Sequence, residues 1–215
     1  IELFVQFIRH FANAFPVVRN YKQTVIIDRK MDENFKPKLL KDKARLQEIY
    51  DLRVMAYENS PKSEFVNRQI FPNGLFDNLD ERDKTLHWII EDENKIIASA
   101  RIAVCNNFED LKNDVPDFLD NYKIPKSRPF AYYSRLIVHH EYRKFGFVNK
   151  LDKIRVEYLQ NQDELSFALA WASSNRHKAL ENFNFINLGD FNYNWGGSKS
   201  LVQSMFLLTL NKDEK

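Results

Sequence analysis

Six residues near the centre of the chain, Arg143-Lys144-Phe145-Gly146-Phe147-Val148, set two cations beside a lone glycine. They follow an aromatic and β-branched run, Phe130 to His139, which reads as a buried strand. They lead into a run with apolar residues at Val148, Leu151, Ile154, Val156, Tyr158 and Leu159, a spacing that suits a helix with one buried face. A helix that opens on a glycine turn leaves backbone N–H groups free, and those groups attract an anion. The chemistry is therefore phosphate binding, with Arg143 and Lys144 adding positive charge. The plainer reading is a glycine turn whose cations face solvent; the flanking strand and helix favour the phosphate.

Other residues carry chemistry by type. His87, Glu91 and Glu141 are candidate bases, each with a plain explanation as a turn or surface charge. Cys105 lies in an apolar run with no fixed histidine partner, so it reads as a core residue rather than a nucleophile. One cysteine forms no internal disulfide, which fits a reducing, cytoplasmic compartment, and builds no cysteine metal cluster, so no metal is expected.

The elements that must position these groups follow in order. Ile1 to Phe15 has a helical rhythm with a wide apolar face, ended or kinked by Pro16. Its first reading is packing on the domain or in a dimer; the sharper one is a peripheral membrane contact aided by Arg9, Arg19 and Lys22. Gln23 to Arg29 reads as a short strand, so residues 1–37 form an extension and 38–215 the main domain. Lys38 to Leu40 opens the first core strand. Asp42 caps a helix over Lys43 to Tyr57, whose buried face includes the Arg53 stem. Ser63 to Ile70 reads as a second short helix, closed by Pro72-Asn73-Gly74. Thr85–Glu91 and Lys95–Cys105 make a hairpin about a polar turn. Asn106 to Arg128 is a polar insertion with helical turns at Phe108–Leu111 and Pro116–Leu119, a candidate substrate lid or a plain surface loop. After the central helix come Leu165–Ala172 (strand), Asn175–Phe183 (helix), Ile186–Tyr193 (strand) and Leu201–Leu210 (strand), the last preceded by a flexible Trp195–Ser198 link. That alternation implies a mixed α/β (α+β) layer with helices on both faces.

The whole chain sets bounds. Its 215 residues suffice for one sizeable core, and a net charge of +2 implies no broad basic surface for nucleic acid. No run of eighteen apolar residues is present.

Arg143-Lys-Phe-Gly146-Phe-Val148 resembles the Arg/Gln-x-x-Gly-x-Gly/Ala signature of the GNAT superfamily of acyl-CoA N-acyltransferases, with Val148 where a small residue is usual. The resemblance spans about Lys38 to Leu210. It implies a mostly antiparallel central sheet and transfer of an acyl group from a phosphopantetheine thioester to a small-molecule amine. Backbone groups of Leu136, Ile137 and Val138 would pair with the pantetheine arm. Amides of Phe145, Gly146, Phe147 and Val148 would hold the phosphates of coenzyme A, with Asn175 touching the pantetheine. The family's tyrosine acid falls near Phe183, which has no hydroxyl, so the resemblance leaves Tyr133, a water, or positioning alone to serve the leaving thiol.

A finer resemblance joins Asp80-x-x-Asp83-x-x-x-His87, Ile97-Ala-Ser-Ala-Arg101 and Tyr133-Ser-Arg135-Leu-Ile-Val138 to the N-acyl amino acid synthases and acyl-homoserine lactone synthases. It implies a long-chain acyl-CoA or acyl carrier protein as donor rather than acetyl-CoA alone. Arg101 and Arg135 would then grip an acidic acceptor from neighbouring strands. Their plain reading is a structural network with Asp80, Asp83 or Glu91. Two further functions stand beside the enzyme: a catalytically silent GNAT-like module that binds a ligand or partner, and a membrane-surface adaptor acting through residues 1–15.

Overall fold

The computed structural model describes residues 35–111, 122–126, 129–194 and 200–210. The expected helix over Ile1–Phe15, the strand at 23–29, the turn at Pro116–Leu119 and the 195–198 link lie outside the described residues. Among the described residues no helix is long and apolar enough to cross a membrane.

Seven strands form one sheet in the order β1-β2-β3-β4-β5-β7-β6. They are β1 (Lys38–Leu39), β2 (Thr85–Asp92), β3 (Lys95–Cys105), β4 (Phe130–Val138), β5 (Phe167–Ala172), β6 (Ile186–Asn194) and β7 (Ser200–Thr209). Every neighbouring pair is antiparallel except β4 with β5. The helices are α1 (Leu46–Glu58), α2 (Phe147–Gln160) and α3 (His177–Glu181).

Successive strand residues point to opposite faces, so Trp88 and Ile89 show where the helices lie. Ile89 clusters with Leu46, Ile49, Tyr50 and Leu52 of α1. Trp88 meets Tyr158 of α2 edge-on, ring centres 5.2 Å apart. The two long helices therefore cover opposite faces, as the alternating pattern implies. Asp42 caps as expected, its carboxylate accepting from the Ala44 amide at 2.9 Å, although the first turn, Lys43–Arg45, is 3₁₀.

Two helices differ from expectation. Ser63–Ile70 forms turns, with Phe65 and Val66 buried. The Asn67 carboxamide oxygen accepts from the amides of Gln69 and Ile70, a local bond that competes with helix propagation. Over Asn175–Phe183 only α3 is α-helical; a 3₁₀ turn, Ser174–Arg176, precedes it and Asn184 at φ 65° closes the segment.

One irregularity governs the site. Ser99 pairs with Ile137 but Arg101 with Ser134, so β4 carries one extra residue there. That is a β-bulge. Arg135 sits in it at φ 55°, in the left-handed region that costs a non-glycine residue about 1–2 kcal/mol. Beyond the bulge β4 leaves β5: the two pair only at Ala131–Ala168 and Tyr132–Leu169. Phe130 and Phe167, stacked with ring centres 5.0 Å apart, hold the joined end.

Candidate active site

The parted ends of β4 and β5 enclose a cavity of about 540 Å³. Tyr57 of α1, with Ser60 and Lys62 just after it, lines the cavity together with Val148 and Arg155 of α2, so its walls come from both faces of the sheet. Leu136, Ile137 and Val138 form its β4 wall, and Ala170 to Ser173 the opposite one.

The glycine turn stands at one mouth. Gly146 is the N-cap of α2 at φ 71°, and no side chain caps the helix start. A Cβ on Gly146 would meet nothing within 4 Å, so space is open above the turn. Phe147 is buried and Val148 lines the cavity, while Lys144 and Phe145 are exposed outside its wall. The Phe145 amide is engaged within the turn, donating to the Tyr142 carbonyl at 3.4 Å. Arg143 lines the cavity, but its guanidinium also donates to the carbonyls of Ala56 and Asn59 and braces the turn against the end of α1. A cation there complements the helix dipole. Asn175 lines the cavity and accepts from the Ser173 hydroxyl at 2.8 Å.

Beneath the α2 side lies a buried polar cluster. Asp152 accepts from the Tyr133 hydroxyl at 2.7 Å, from Arg155 at 2.7 Å and from Arg176 at 2.6 Å. The Arg155 guanidinium stacks 3.5 Å from the Tyr133 ring centre, a cation–π contact. Burial, reinforced by the Asp152 charge, pushes the Tyr133 hydroxyl well above its usual value despite Arg155. It stays protonated, so it is a donor and not a base.

On the α1 side a second cluster fixes the bulge. Arg135 donates to Asp77 at 2.6 and 3.1 Å. Arg101 donates to Asp77 at 2.6 Å and to Asp80 at 2.8 Å, and Arg53 holds Asp80 through both its terminal nitrogens. Among the described residues His139, His140 and Glu141 bring one ligand atom each within 4.8 Å of one another.

No protein-family model and no curated protein matches the sequence. Solved structures do. A CoA-dependent acyl-homoserine lactone synthase, BjaI, with SAM and isopentyl-CoA, aligns with a TM-score of 0.63 at 12% identity over 83% of this chain and 84% of that one. FeeM, an N-acyl amino acid synthase from uncultured soil microbes, gives 0.59 at 8% identity over 82% and 91%. The ribosomal-protein-S18-alanine N-acetyltransferase of Escherichia coli gives 0.54 at 12% over 83% and 97%. The chain has the GNAT fold.

Within that fold the residues singled out from sequence separate into two groups. Tyr133, Arg135, Leu136–Val138, Arg143, Val148 and Asn175 meet at the cavity. Lys144, Phe145, Gly146 and Phe147 belong to the turn at its mouth, and the rest lie elsewhere. Arg101 is 0% exposed and does not line the cavity; it is paired behind the wall with Asp77 and Asp80, so it is a structural cation and not a grip on an acceptor. Its partners are Asp77 and Asp80; Asp83 is outside, beside Lys43. Glu91 pairs with Lys38 and Arg45 near the sheet edge, where it cannot act as a base in the cleft. Glu141 is exposed beyond β4.

His87 is not in the cleft either: it is 5% exposed, and its Nε2–H donates to the Asp80 carbonyl at 2.9 Å. Burial lowers its pKa from 6.5 to about 4. The unfolded chain then binds a proton that the folded one refuses between those values. Stability is full above pH 6.5 and falls as the pH drops toward 4, by at most about 3 kcal/mol. Melting curves should show a steeper loss over this window for the natural protein than for His87→Gln.

Asp152, Arg155, Arg176 and Gln203 escaped the sequence reading. Asp152 and Arg155 share a helical stripe with Leu151, Val156 and Leu159, and charges on an apolar stripe were the available signal.

Proposed function

We propose that the protein is an N-acyltransferase that moves an acyl group from acyl-CoA or acyl carrier protein to an amine such as an amino acid. What carries the reading is the cleft between β4 and β5, which runs from an uncapped helix start into the sheet. The donor's phosphates sit at the free amides of the first turn of α2, and its pantetheine arm lies along Leu136–Val138 as an added strand. The thioester then reaches the bulge. The acceptor nitrogen attacks the carbonyl carbon, the C–S bond breaks, and the proton lost by nitrogen ends on the sulfur.

Among the described residues no carboxylate lines the cleft. Rate therefore comes chiefly from alignment of the two substrates, with the amine entering unprotonated or losing its proton to water. Tyr133 is the protonated hydroxyl in the wall; to serve the leaving sulfur it must turn away from Asp152.

The test is thiol release from a panel of acyl-CoAs and acyl carrier proteins, with and without amines. Cys105 is buried and its thiol is pushed up to about 12, so it adds little background. Release that requires both donor and amine is expected. Absence of release, with calorimetric heat from the donors, would favour the silent binding module that Phe183 and Val148 suggest. Absence of both would end the GNAT-enzyme reading.

A further inference from the structure

The cleft wall holds one side chain whose environment is incomplete. Gln203 lies on β7, is 3% exposed, and lines the cavity. Its carboxamide nitrogen has no hydrogen-bond partner. A buried amide donor left unpaired is costly, and such groups are ordinarily satisfied. Among the described residues no turn or cap uses this one, so a bound molecule is the natural partner.

Strand alternation locates it. Gln203 shares a face of β7 with Met205 and Leu207, which cluster with Tyr132, Ala103 and Leu169. Across β3 and β4 that face is the α1 side, since Arg101, two residues from Ala103, is joined there to Arg53 through Asp80. The phosphate turn opens α2 on the other face. A donor entering beside Gly146 would reach through the parted strands with its thioester leading, so the far side belongs to the acceptor. Among the described residues the wall there and beneath carries Lys62, Arg135, Arg143, Arg155 and Arg176 and no carboxylate. Asp77 and Asp152, two carboxylates, are shared among Arg135, Arg155 and Arg176 from behind the wall, so the pairing leaves these three cations in excess. The potential favours an anion.

We infer that Gln203 is a specificity-determining residue whose carboxamide nitrogen donates to a carboxylate oxygen of the amine acceptor. This rests on the acyltransferase reading above and adds the group that reads the acceptor's carboxylate.

The test compares the natural protein with Gln203→Met, similar in volume but unable to donate. The acceptors are the common amino acids, each beside the amine that lacks its carboxylate, with acetyl-, octanoyl- and palmitoyl-CoA as donors. The natural protein is expected to prefer the amino acid. The variant should raise KM for it by roughly ten- to a hundredfold, the loss expected for a hydrogen bond to a charged group. KM for acyl-CoA should hardly move. An unchanged acceptor KM, or a shift in the donor KM instead, overturns the inference while leaving acyl transfer intact.

Thermal unfolding without substrate gives a readout that needs no turnover. Removing an orphaned amide should leave the melting temperature equal or higher; a fall of several degrees would mean the amide has a partner in the fold, and would overturn the inference. If the natural protein releases no thiol with any donor, the acyltransferase reading fails separately. The same amino acids should then still raise its melting temperature more than the variant's, and no such difference would sink the acceptor assignment too.

Discussion

Asp80→Asn should unfold about 6 to 20 °C below the natural protein, a loss on the order of 3–5 kcal/mol. Asp80 is buried, and Arg53 holds it with both terminal nitrogens at 2.7 and 2.8 Å while Arg101 adds a third bond at 2.8 Å. An amide cannot balance the Arg53 guanidinium, which is itself fully buried and keeps its proton. Arg101 retains Asp77, so the damage centres on Arg53 and the loop it ties to α1. The surface substitution Asp83→Asn is the control, because its partner Lys43 is exposed and little should change. Equal melting of Asp80→Asn and the natural protein would show that the cluster does not hold the fold.

The acid side of the same cluster has a definite sign. Burial alone would raise the Asp80 carboxyl, but the charges of Arg53 and Arg101 outweigh it and hold it far below its ordinary 3.8. Asp77 is partly buried, and Arg101 and Arg135 lower it likewise. Both carboxylates therefore contribute in full above pH 3.8, and the contribution is lost as the pH falls below that toward their depressed values. This window lies below that of His87, so stability should fall with acid over two successive pH ranges, read as the melting temperature against pH.

The elements were legible where local chemistry and periodicity agree. The β2–β3 hairpin has apolar arms about Glu91-Asp92-Glu93-Asn94, and the structure turns at Glu93 and Asn94 with positive φ. The glycine turn was legible because a single glycine stands between a strand pattern and a helix pattern. The bulge was not: nothing about arginine signals a left-handed backbone, and Arg135 is held there by Asp77, remote in sequence. Nor did spacing tell which acidic residues face inward, since Asp77 to Asp80 and Asp80 to Asp83 are both three apart. Only the bulge's need for a counter-charge selects the first pair. Gln203 was in principle visible, as a polar residue alternating with Met205 and Leu207 on a buried strand face.

Ala172→Trp should reduce acyl-CoA binding and turnover by on the order of a hundredfold or more while leaving the fold in place. Ala172 is half-buried on β5, where the strand has already left β4, and it lines the cavity. An indole there occupies the gap that a pantetheine arm along Leu136–Val138 would need. Because the gap is open space between parted strands, the ring displaces solvent rather than packed side chains, and the overpacking cost of a core site does not arise. The melting temperature should therefore move by only a few degrees. A control indole at Ile186, 59% exposed on β6, adds the same apolar surface away from the cleft and should leave binding unchanged. A variant that binds acyl-CoA and turns over like the natural protein would mean that the donor does not thread the sheet, and the bulge at Arg135 would then have to be explained by the fold alone.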